Sequence, residues 1–475
     1  MKIATTITWS LLLGAGCVTT DPTSAVTSDL DALVAVTGDG GNRVPNGIPV
    51  SDATGRFTSV SAQGFIDLTN EFFQDLGTNG RRCVSCHVPA SGWSITPGAL
   101  RAVFDATDGG VRADSFGLGA VFRTNDGANA PNADVSTLAA RRAAYSMLLN
   151  RGLVRVGLPI PQNAEFELVA VDDPYHFTSA AELSLFRRPL PTANLKFDST
   201  VMWDGREVVR GTTVASQLLT QASDATTGHA QGLPLGATQR AAIVDFEVAL
   251  AAAQTFDNAA KVLDAAGARG GADAILQQPF YIGINDNFGD SQSGAAFSPI
   301  VFTIYDRWKG AAASDPRSAV ARGQVLFNTK PIAITGVSGI NDEAAFGTPA
   351  TVAGTCTTCH DTPNAGNHSV VAPLDIGLVD ASRRTPDMPL YTLRNKVTGA
   401  LRQVTDPGRA LIDGKWSHIG RFKGPMLRNV AARAPYFHNG FAADLAAVVE
   451  FYDTRFHIGL SASEKADLAA FLRAL

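Results

Sequence analysis

Two short segments of the chain share one pattern: two cysteines separated by two residues and followed directly by a histidine. The residues are Cys83, Cys86 and His87 in the first segment and Cys356, Cys359 and His360 in the second. The two thiols have the spacing that lets them add to the two vinyl groups of haem, and the histidine is placed to coordinate the iron. The sequence therefore predicts two covalently bound haem c groups, at a first and a second attachment site.

Other cysteine chemistry fits this pattern less well. A zinc site would need further cysteine or histidine ligands nearby in the sequence, and none is there. A thioredoxin-like dithiol would need a βαβ context, which the flanking sequence lacks. The chain has five cysteines and the two segments use four of them, so no pair is left over for a disulfide framework.

Length and charge exclude several other classes of protein. The chain has 475 residues, of which 45% are hydrophobic and 17% are charged, enough to bury at least two cores of ordinary domain size. The formal net charge is −5 and there is no cluster of Lys and Arg, so we expect no nucleic-acid partner. After residue 16 no apolar run approaches the roughly 20 residues that span a bilayer.

The N-terminal residues predict export. Lys2 is followed by an apolar stretch that ends on small residues just before Cys17, which is typical of a secretory signal with a lipobox at 1–17. The expected leucine is one place early, so ordinary cleavage nearby is the alternative. We expect a periplasmic or other extracytoplasmic protein, lipid-anchored to the outer membrane, with membrane contact only through that lipid. Residues 18–52 are predicted to form a flexible tether.

An internal repeat predicts two copies of one haem-binding unit. Residues 460–475 align without gaps on residues 235–250, and both carry apolar residues at i, i+3 and i+7, the spacing of one helix face. Ser461 and Glu464 have the spacing of a capping box at the start of the second copy. Helices are also predicted around Phe72 and Phe73 before the first site, and after Asp315 before the second site.

A second repeated feature sets the domain boundaries. The segments 202–205 and 437–440, Met-Trp-Asp-Gly and Phe-His-Asn-Gly, are interpreted as equivalent turns. The predicted fold is mainly α, with two class I cytochrome c-like haem domains that have long loops, at 53–254 and 315–475. Residues 255–314 are predicted to connect them over the surface. The first domain contains an insertion of roughly 98–186, which either roofs the first haem or is a surface elaboration.

These motifs resemble the bacterial dihaem cytochrome c peroxidase and MauG family. The resemblance covers most of the chain in the order CVSCH, VMWDGRE, CTTCH, FKGPMLRNVAARAPYFHNGF and VVEFYD. It implies that the N-terminal haem reacts with peroxide, that the C-terminal haem transfers electrons, and that a tryptophan lies between them. Trp203 matches that tryptophan.

The axial ligands implied by the resemblance differ between the two sites. Tyr452 matches the sixth ligand of the second haem and lies on the apolar face of a helix predicted for 444–452. His457 is the competing ligand and Met426 a weaker one. No histidine or methionine follows the first site closely, which indicates an open first haem, although His176 could return as its ligand. His368 and His438 are interpreted as polar contacts of haem propionates or as surface histidines.

The acid–base residues of the family are matched only in part. Gln221 matches the family's glutamine, but the expected glutamate is missing and His229 is the candidate acid–base residue in its place. The family also binds calcium through backbone carbonyls near Pro435. In this chain Arg433 replaces the usual threonine, and calcium binding stays compatible because it would use backbone oxygens.

The leading hypothesis is an exported dihaem peroxidase-like oxidoreductase that reduces hydrogen peroxide. Its expected partners are a small electron-donor protein, cytochrome c or cupredoxin, or a protein substrate. A non-catalytic dihaem electron-transfer cytochrome and a dihaem oxygenase are the alternatives. The missing distal histidine favours catalysis, and the missing glutamate favours electron transfer.

Overall fold

The computed structural model describes residues 42–114 and 116–475. The signal segment, Cys17 and most of the predicted tether lie outside these residues. In this part of the chain, no helix combines the length and the apolar character needed to cross a membrane.

Ten α-helices are found in the described residues, several of them short. They are α1 (Pro97–Thr107), α2 (Leu138–Ala144), α3 (Ser146–Arg151), α4 (Val214–Gly228), α5 (Ala237–Ala249), α6 (Ala272–Leu276), α7 (Pro316–Thr329), α8 (Ala410–Asp413), α9 (Leu445–Phe456) and α10 (Ala462–Arg473). Both attachment sites begin on single 3-10 turns, Cys83–Ser85 and Cys356–Thr358.

The described residues also form five small antiparallel sheets. The strands are β1 (Arg43–Pro45), β2 (Pro49–Ser51), β3 (Gly55–Ser61), β4 (Phe65–Asp67), β5 (Val154–Leu158), β6 (Phe166–Asp172), β7 (Leu183–Arg187), β8 (Leu250–Asp257), β9 (Lys261–Val262), β10 (Ile332–Thr335), β11 (Thr351–Gly354), β12 (Leu390–Asn395) and β13 (Leu401–Val404). The sheet orders are β1-β4, β2-β3-β8-β9, β5-β7, β13-β12-β6 and β10-β11. This strand content does not confirm the mainly α prediction.

Three helices of the second half, α7, α9 and α10, pack around the second attachment site. α7 and α10 cross so closely that a Cβ built at Gly323 would overlap the carbonyl oxygen of Asp467. The predicted capping box is present, because Ser461 N donates to Glu464 Oε2 at 2.8 Å and Glu464 N donates to Ser461 Oγ at 3.2 Å. Asp315 caps α7 through Arg317 N, at 2.9 Å, as predicted.

The first half repeats only part of this arrangement. Its closing helix α5 is present, but the helix predicted near Phe72 is a single 3-10 turn, Glu71–Phe73. The long pairing of β3 with β8 supplies core instead. It runs from Gly55 opposite Asp257 to Ser61 opposite Leu250, with one register shift between Arg56 and Phe57. Strands β1 and β2 both lie before residue 53, so part of the predicted tether forms β-strands.

The two predicted turns have the same backbone conformation. Met202 and Phe437 have positive φ of 65° and 68°, and the glycines three residues later have φ of 67° and 64°. In each turn the glycine N–H donates to the carbonyl of the first residue, at 3.2 Å in the first half and 3.3 Å in the second. Equivalent positions in the sequence repeat are therefore equivalent in space.

The segment 255–314 and the insertion are both integrated into the cores. The segment 255–314 was expected on the surface, yet Phe302, Tyr305 and Trp308 are buried in one cluster with α7 and α10. The insertion packs against Cys86 through α1 and α3, and its strand β6 pairs with β12 of the second half. Large apolar side chains in both segments account for this burial, because exposing them would be costly.

Candidate haem sites

The histidines of the two attachment sites have the same environment. His87 Nδ1 lies 3.4 Å from the carbonyl oxygen of Trp93, and His360 Nδ1 lies 2.6 Å from that of Gly366, in each case six residues later. A carbonyl at Nδ1 fixes the tautomer and leaves Nε2 for a metal, as is usual for iron-ligating histidines. Burial lowers the pKa of His87 to about 4, so its imidazole is neutral at neutral pH.

The aromatic rings behind the histidines are also equivalent. In the first half, Phe72 lies 6.3 Å from the His87 ring and 5.0 Å from Phe246 on α5. In the second half, Phe327 lies 5.9 Å from the His360 ring and 5.6 Å from Phe471 on α10. The closing helix thus supports the histidine in both halves through one phenylalanine.

A cavity of about 230 Å³ lies at the second attachment site. Cys356, Cys359 and His360 form part of its wall, and α7, α9 and α10 supply apolar side chains around it. Tyr452 also lines this cavity, as its position on the apolar face of α9 predicts. Burial raises the pKa of Tyr452, and no hydrogen-bond partner of its hydroxyl is found in the described chain.

The competing ligands of the second site differ in placement. His457 is the left-handed C-terminal cap of α9 and is exposed, and it does not line the cavity. Met426 is buried and does line the cavity. Tyr452 and Met426 are therefore the two candidate ligands that the structure brings to this site, and His457 is not brought there.

Two buried arginines line the same cavity without a carboxylate partner among the described residues. Arg188 donates to the carbonyls of Arg151, Ile95 and Arg433, at 2.6 to 3.1 Å. Arg433 donates to the carbonyls of Asn429, Met426 and Arg428, at 3.0 to 3.1 Å. Burial lowers the pKa of Arg188 to about 9 and that of Arg433 to about 10, so both stay cationic at neutral pH.

These arginines also occupy backbone acceptors in the segment that the family uses for calcium. The Arg433 carbonyl accepts from Arg188, and Arg433 itself binds three neighbouring carbonyls. No group of three His, Cys, Asp or Glu side chains suited to a metal ion is found in residues 42–114 and 116–475. Calcium binding stays a prediction.

Trp203 lies in the wall of the cavity at the second attachment site. Its indole Nε1 donates to the Arg188 carbonyl at 2.7 Å, and its ring lines the cavity of the second site. Two residues further along the same segment, the backbone of Leu190 faces the His87 ring. The backbone carbonyl of Trp203 accepts from Lys423 N at 2.9 Å, which ties the tryptophan to the second half.

The turn that carries Trp203 is held by buried charges. Arg187 donates to Asp204 at 2.5 Å and to Asp406 at 2.7 Å, so it joins the first half to the second. Burial acts to raise the pKa of Asp204, but the guanidinium groups of Arg187 and Arg206 outweigh it and lower the pKa to about 2. The carboxylate is therefore ionised at all ordinary pH values.

His438 occupies the position equivalent to Trp203 in the second half. The two rings meet edge to face with their centroids 6.1 Å apart, and His438 stacks on Phe422 at 4.0 Å. His438 is buried in the cavity wall, so it is not a surface histidine. His368 is buried beside Asp361, which directly follows His360.

The candidate acid–base residues lie on or after α4. His229 Nδ1 contacts Asp126 Oδ2 at 2.5 Å, and Asp126 also pairs with buried Arg81. Arg81 and Asp126 act electrostatically on Cys86, and His229 acts on His87, so this cluster belongs to the first site.

Other candidates near the first site are placed differently. Gln221 is half-buried on α4. Gln217, one turn earlier, is 3% exposed, and its Oε1 has no partner in the described chain. His176 is exposed in the turn that follows β6, and no contact in the described chain joins its side chain to the first site.

The residues present fit covalent haem at both sites. The four cysteines at these sites are free thiols. Each histidine keeps Nε2 available, and the second cavity offers two cationic side chains suited to propionates. A bound haem would be held by Cys83, Cys86 and His87 at the first site and by Cys356, Cys359 and His360 at the second.

Sequence reasoning missed Glu247, a buried carboxyl on α5. It is 4% exposed, and it acts electrostatically on the Cys83 thiol. The repeat alignment offered a signal, because Glu247 falls opposite Leu472 in an otherwise apolar helix face.

The chain is similar to curated cytochrome-c peroxidases. It is 31% identical over 140 residues to cytochrome-c peroxidase IdrP1 of Pseudomonas sp. (strain SCT) and 30% identical over 132 residues to IdrP2 of Denitromonas iodatirespirans. These matches cover 25% and 26% of this chain, and the chain spans 36% of the length of each relative.

A solved MauG-like protein associated with microbial copper homeostasis is also similar, at 17% identity and a TM-score of 0.39, over 91% of this chain and 92% of that one. The chain matches no protein-family model. The curated relatives are named cytochrome-c peroxidases, which supports the prediction of a peroxidase-like oxidoreductase and the resemblance to the dihaem cytochrome c peroxidase and MauG family.

Proposed function

We propose that this chain is an exported dihaem oxidoreductase that reduces hydrogen peroxide at the first attachment site and receives electrons through the second. The observation that carries the proposal is the position of Trp203. It lines the cavity at Cys356, Cys359 and His360 and bonds to a backbone segment that also faces His87. Haem iron, when bound at His87, supplies the redox chemistry that converts peroxide to water with two electrons.

The chain's own residues perform the positioning. The carbonyls at His87 and His360 fix both imidazoles with Nε2 free for iron. Arg188 and Arg433 place two positive charges in the cavity wall, where haem carboxylates would neutralise them. Apolar side chains exclude water from the second site, which lowers the reorganisation that an electron transfer requires.

Tyr452 is the proposed sixth ligand of the second haem. Its hydroxyl faces a cavity with no hydrogen-bond partner in the described chain, and tyrosine is an established haem ligand. Met426 is the alternative in the same cavity. Ligation by Tyr452 would suit a haem at the second site to electron transfer, whereas the sequence offers no nearby second ligand for a haem held by His87.

His229 is the proposed proton-transfer group of the first site. Asp126 holds its Nδ1, so Nε2 is the atom that can accept a proton from peroxide and return it. Gln221 lies on α4, the helix that ends just before His229, and is proposed to orient the bound peroxide by hydrogen bonding. The proposed electron donor is a small cytochrome c or cupredoxin, with a protein side chain as the alternative reductant.

The test is low-temperature EPR of the holoprotein before and after hydrogen peroxide is added. We expect one high-spin and one low-spin ferric signal, with both changed by peroxide. Two low-spin signals that peroxide leaves unchanged would contradict the proposal and favour a non-catalytic electron carrier. Turnover is then measured with reduced cytochrome c as the donor, with His229→Gln expected to lower kcat and to leave both haems attached.

A further inference from the structure

Glu247 occupies a haem-facing position of the repeated fold. α5 and α10 align without gaps, so Glu247 is equivalent to Leu472. Leu472 lines the cavity of the second site and belongs to the cluster against which Cys356 packs. The equivalent rings on the two helices are Phe246 and Phe471. Each packs against the phenylalanine that contacts the attachment-site histidine, so the two helices have the same orientation relative to their sites.

The carboxyl of Glu247 has no partner to account for its burial. Glu247 is 4% exposed, and its Oε2 has no hydrogen bond within the described residues. It forms no ion pair there, although an unpartnered buried carboxyl is costly and a structural carboxyl is normally paired. Its electrostatic effect falls on Cys83, the first cysteine of the first attachment site.

The protein surroundings of Glu247 favour its neutral form, whereas the positive charge of ferric iron bound at the first site would favour the carboxylate. Burial raises its pKa to about 8. Ionisable side chains on the elements packed against α5 are Glu71, Lys196, Asp224 and Asp257. None of these forms an ion pair with Glu247, and Asp257 pairs instead with Arg473. No hydrogen bond or ion pair joins Glu247 to His87 in the described chain.

We propose that Glu247 is a redox-linked proton-holding group of the first haem site. When ferric iron at His87 takes up one electron from an external donor, the Glu247 carboxylate takes up one proton from solvent and becomes a carboxylic acid. On oxidation the electron and the proton leave together. The added charge on iron is thereby balanced beside a buried site, where an uncompensated charge is expensive. This inference rests on the proposed haem at the first site.

The second site provides the contrast within one molecule. Leu472 cannot hold a proton, so the potential of the second haem gains no pH dependence from this position. Redox-linked protonation of Glu247 is therefore specific to the site proposed to react with peroxide. The reduction of peroxide to water consumes two protons as well as two electrons.

The test is a spectroelectrochemical titration of the holoprotein between about pH 6 and pH 9, following each haem separately. We expect the midpoint potential of the first haem to fall as pH rises, by up to the 59 mV per tenfold change in proton concentration that one electron allows. Glu247→Gln should abolish this slope. Asp245→Asn, an exposed acid two residues away on the same helix, should retain it.

A second readout uses the wild-type protein. Its reduced-minus-oxidised infrared spectrum should show a protonated carboxyl band that grows on reduction and is absent from Glu247→Gln. A wild-type slope retained in Glu247→Gln, or no carboxyl band in the wild type, overturns the inference. If mass analysis finds no haem at Cys83 and Cys86, the proposed function fails. If only the inference about Glu247 fails, haem is still found at Cys83 and Cys86 and still responds to peroxide.

Discussion

The two halves of the molecule hold their histidines alike and enclose them differently. In both, a carbonyl six residues later fixes Nδ1 and a phenylalanine pair supports the ring. Around the second site, three helices form an apolar cavity with Tyr452 in its wall. Around the first, α5 is the counterpart of α10, 3-10 turns, strands and the insertion take the places of α7 and α9, and Glu247 takes the place of Leu472. The two sites thus hold their histidines in the same way, and they differ in the residues that surround them.

The largest expected change comes from removing Tyr452, the proposed haem ligand that only the second half supplies. Tyr452→Phe should convert the ferric signal of the second haem from its wild-type form to that of an open site, because phenylalanine cannot ligate iron. Low-temperature EPR measures this change. His457→Gln is the control and should leave the signal unaltered, since His457 is exposed. An unaltered signal in Tyr452→Phe would move the ligand to Met426.

The junction turns can be made alike by Asp204→Asn, which copies the equivalent Asn439. This removes one of two carboxylates from buried Arg187, and we expect the free energy of unfolding to fall by about 3 kcal/mol. Urea denaturation measures it. Asp172→Asn, which breaks the exposed pair with Arg384, should cost no more than about 1 kcal/mol. Equal losses in the two variants would contradict the account.

The same junction predicts an acid limit of stability. The pKa of Asp204 is lowered from 3.8 to about 2, so its stabilising contribution is fully present above 3.8 and is lost as pH falls towards 2. Urea midpoints measured between pH 5 and pH 2 should therefore fall less steeply in Asp204→Asn than in the wild type. Parallel pH profiles would show that the Asp204 pKa is not depressed.

The helix crossing of the second half has no counterpart in the first. Gly323→Ala places a Cβ against the Asp467 carbonyl, which must shift α7 from α10 and should cost about 1 to 3 kcal/mol. Thermal unfolding measures the loss. Gly228→Ala is the matched control, because a Cβ at Gly228 meets no atom within 4 Å. A loss confined to the control would contradict the close crossing.

The smallest difference lies at the start of the closing helices. Ser461 caps α10 through its hydroxyl, whereas Gly236 at the equivalent place in α5 has no side chain. Ser461→Ala should cost about 1 kcal/mol, and Ser461→Gly only a few tenths. Ser463→Ala, on the exposed first turn, is the control. Chemical denaturation that ranks Ser463→Ala as the more destabilising change would contradict the assigned cap.

Sequence reasoning was most successful where the signal was local. The capping box at Ser461, the cap at Asp315 and the two equivalent turns depend on residues within a few positions of each other, and the structure confirms them. The pairing of β3 with β8 joins residues about 200 positions apart and has no local signal. The burial of 300–308 was not predicted, because the glycine-rich stretch before it is typical of a surface connection. The large apolar residues of 300–308 itself are consistent with its burial.

The site was predictable to a similar degree. The cysteines, the histidines and Tyr452 are placed by motifs, and the structure brings Cys356, Cys359, His360 and Tyr452 to one cavity. The buried Arg188 and the unpartnered Glu247 were not predicted, because an isolated charged residue in a sequence is usually exposed. Only the packed structure shows that each lacks a counter-charge.

The two unlike sites are proposed to act as one unit through Trp203, and the rate of electron transfer between the haems tests this most directly. We expect Trp203→Phe to slow this transfer, followed by stopped-flow reduction of the holoprotein, with both haems still attached. Trp416→Phe, a tryptophan packed on the same apolar cluster outside the cavity wall, should leave the rate at the wild-type value. A wild-type rate in Trp203→Phe would contradict the claim.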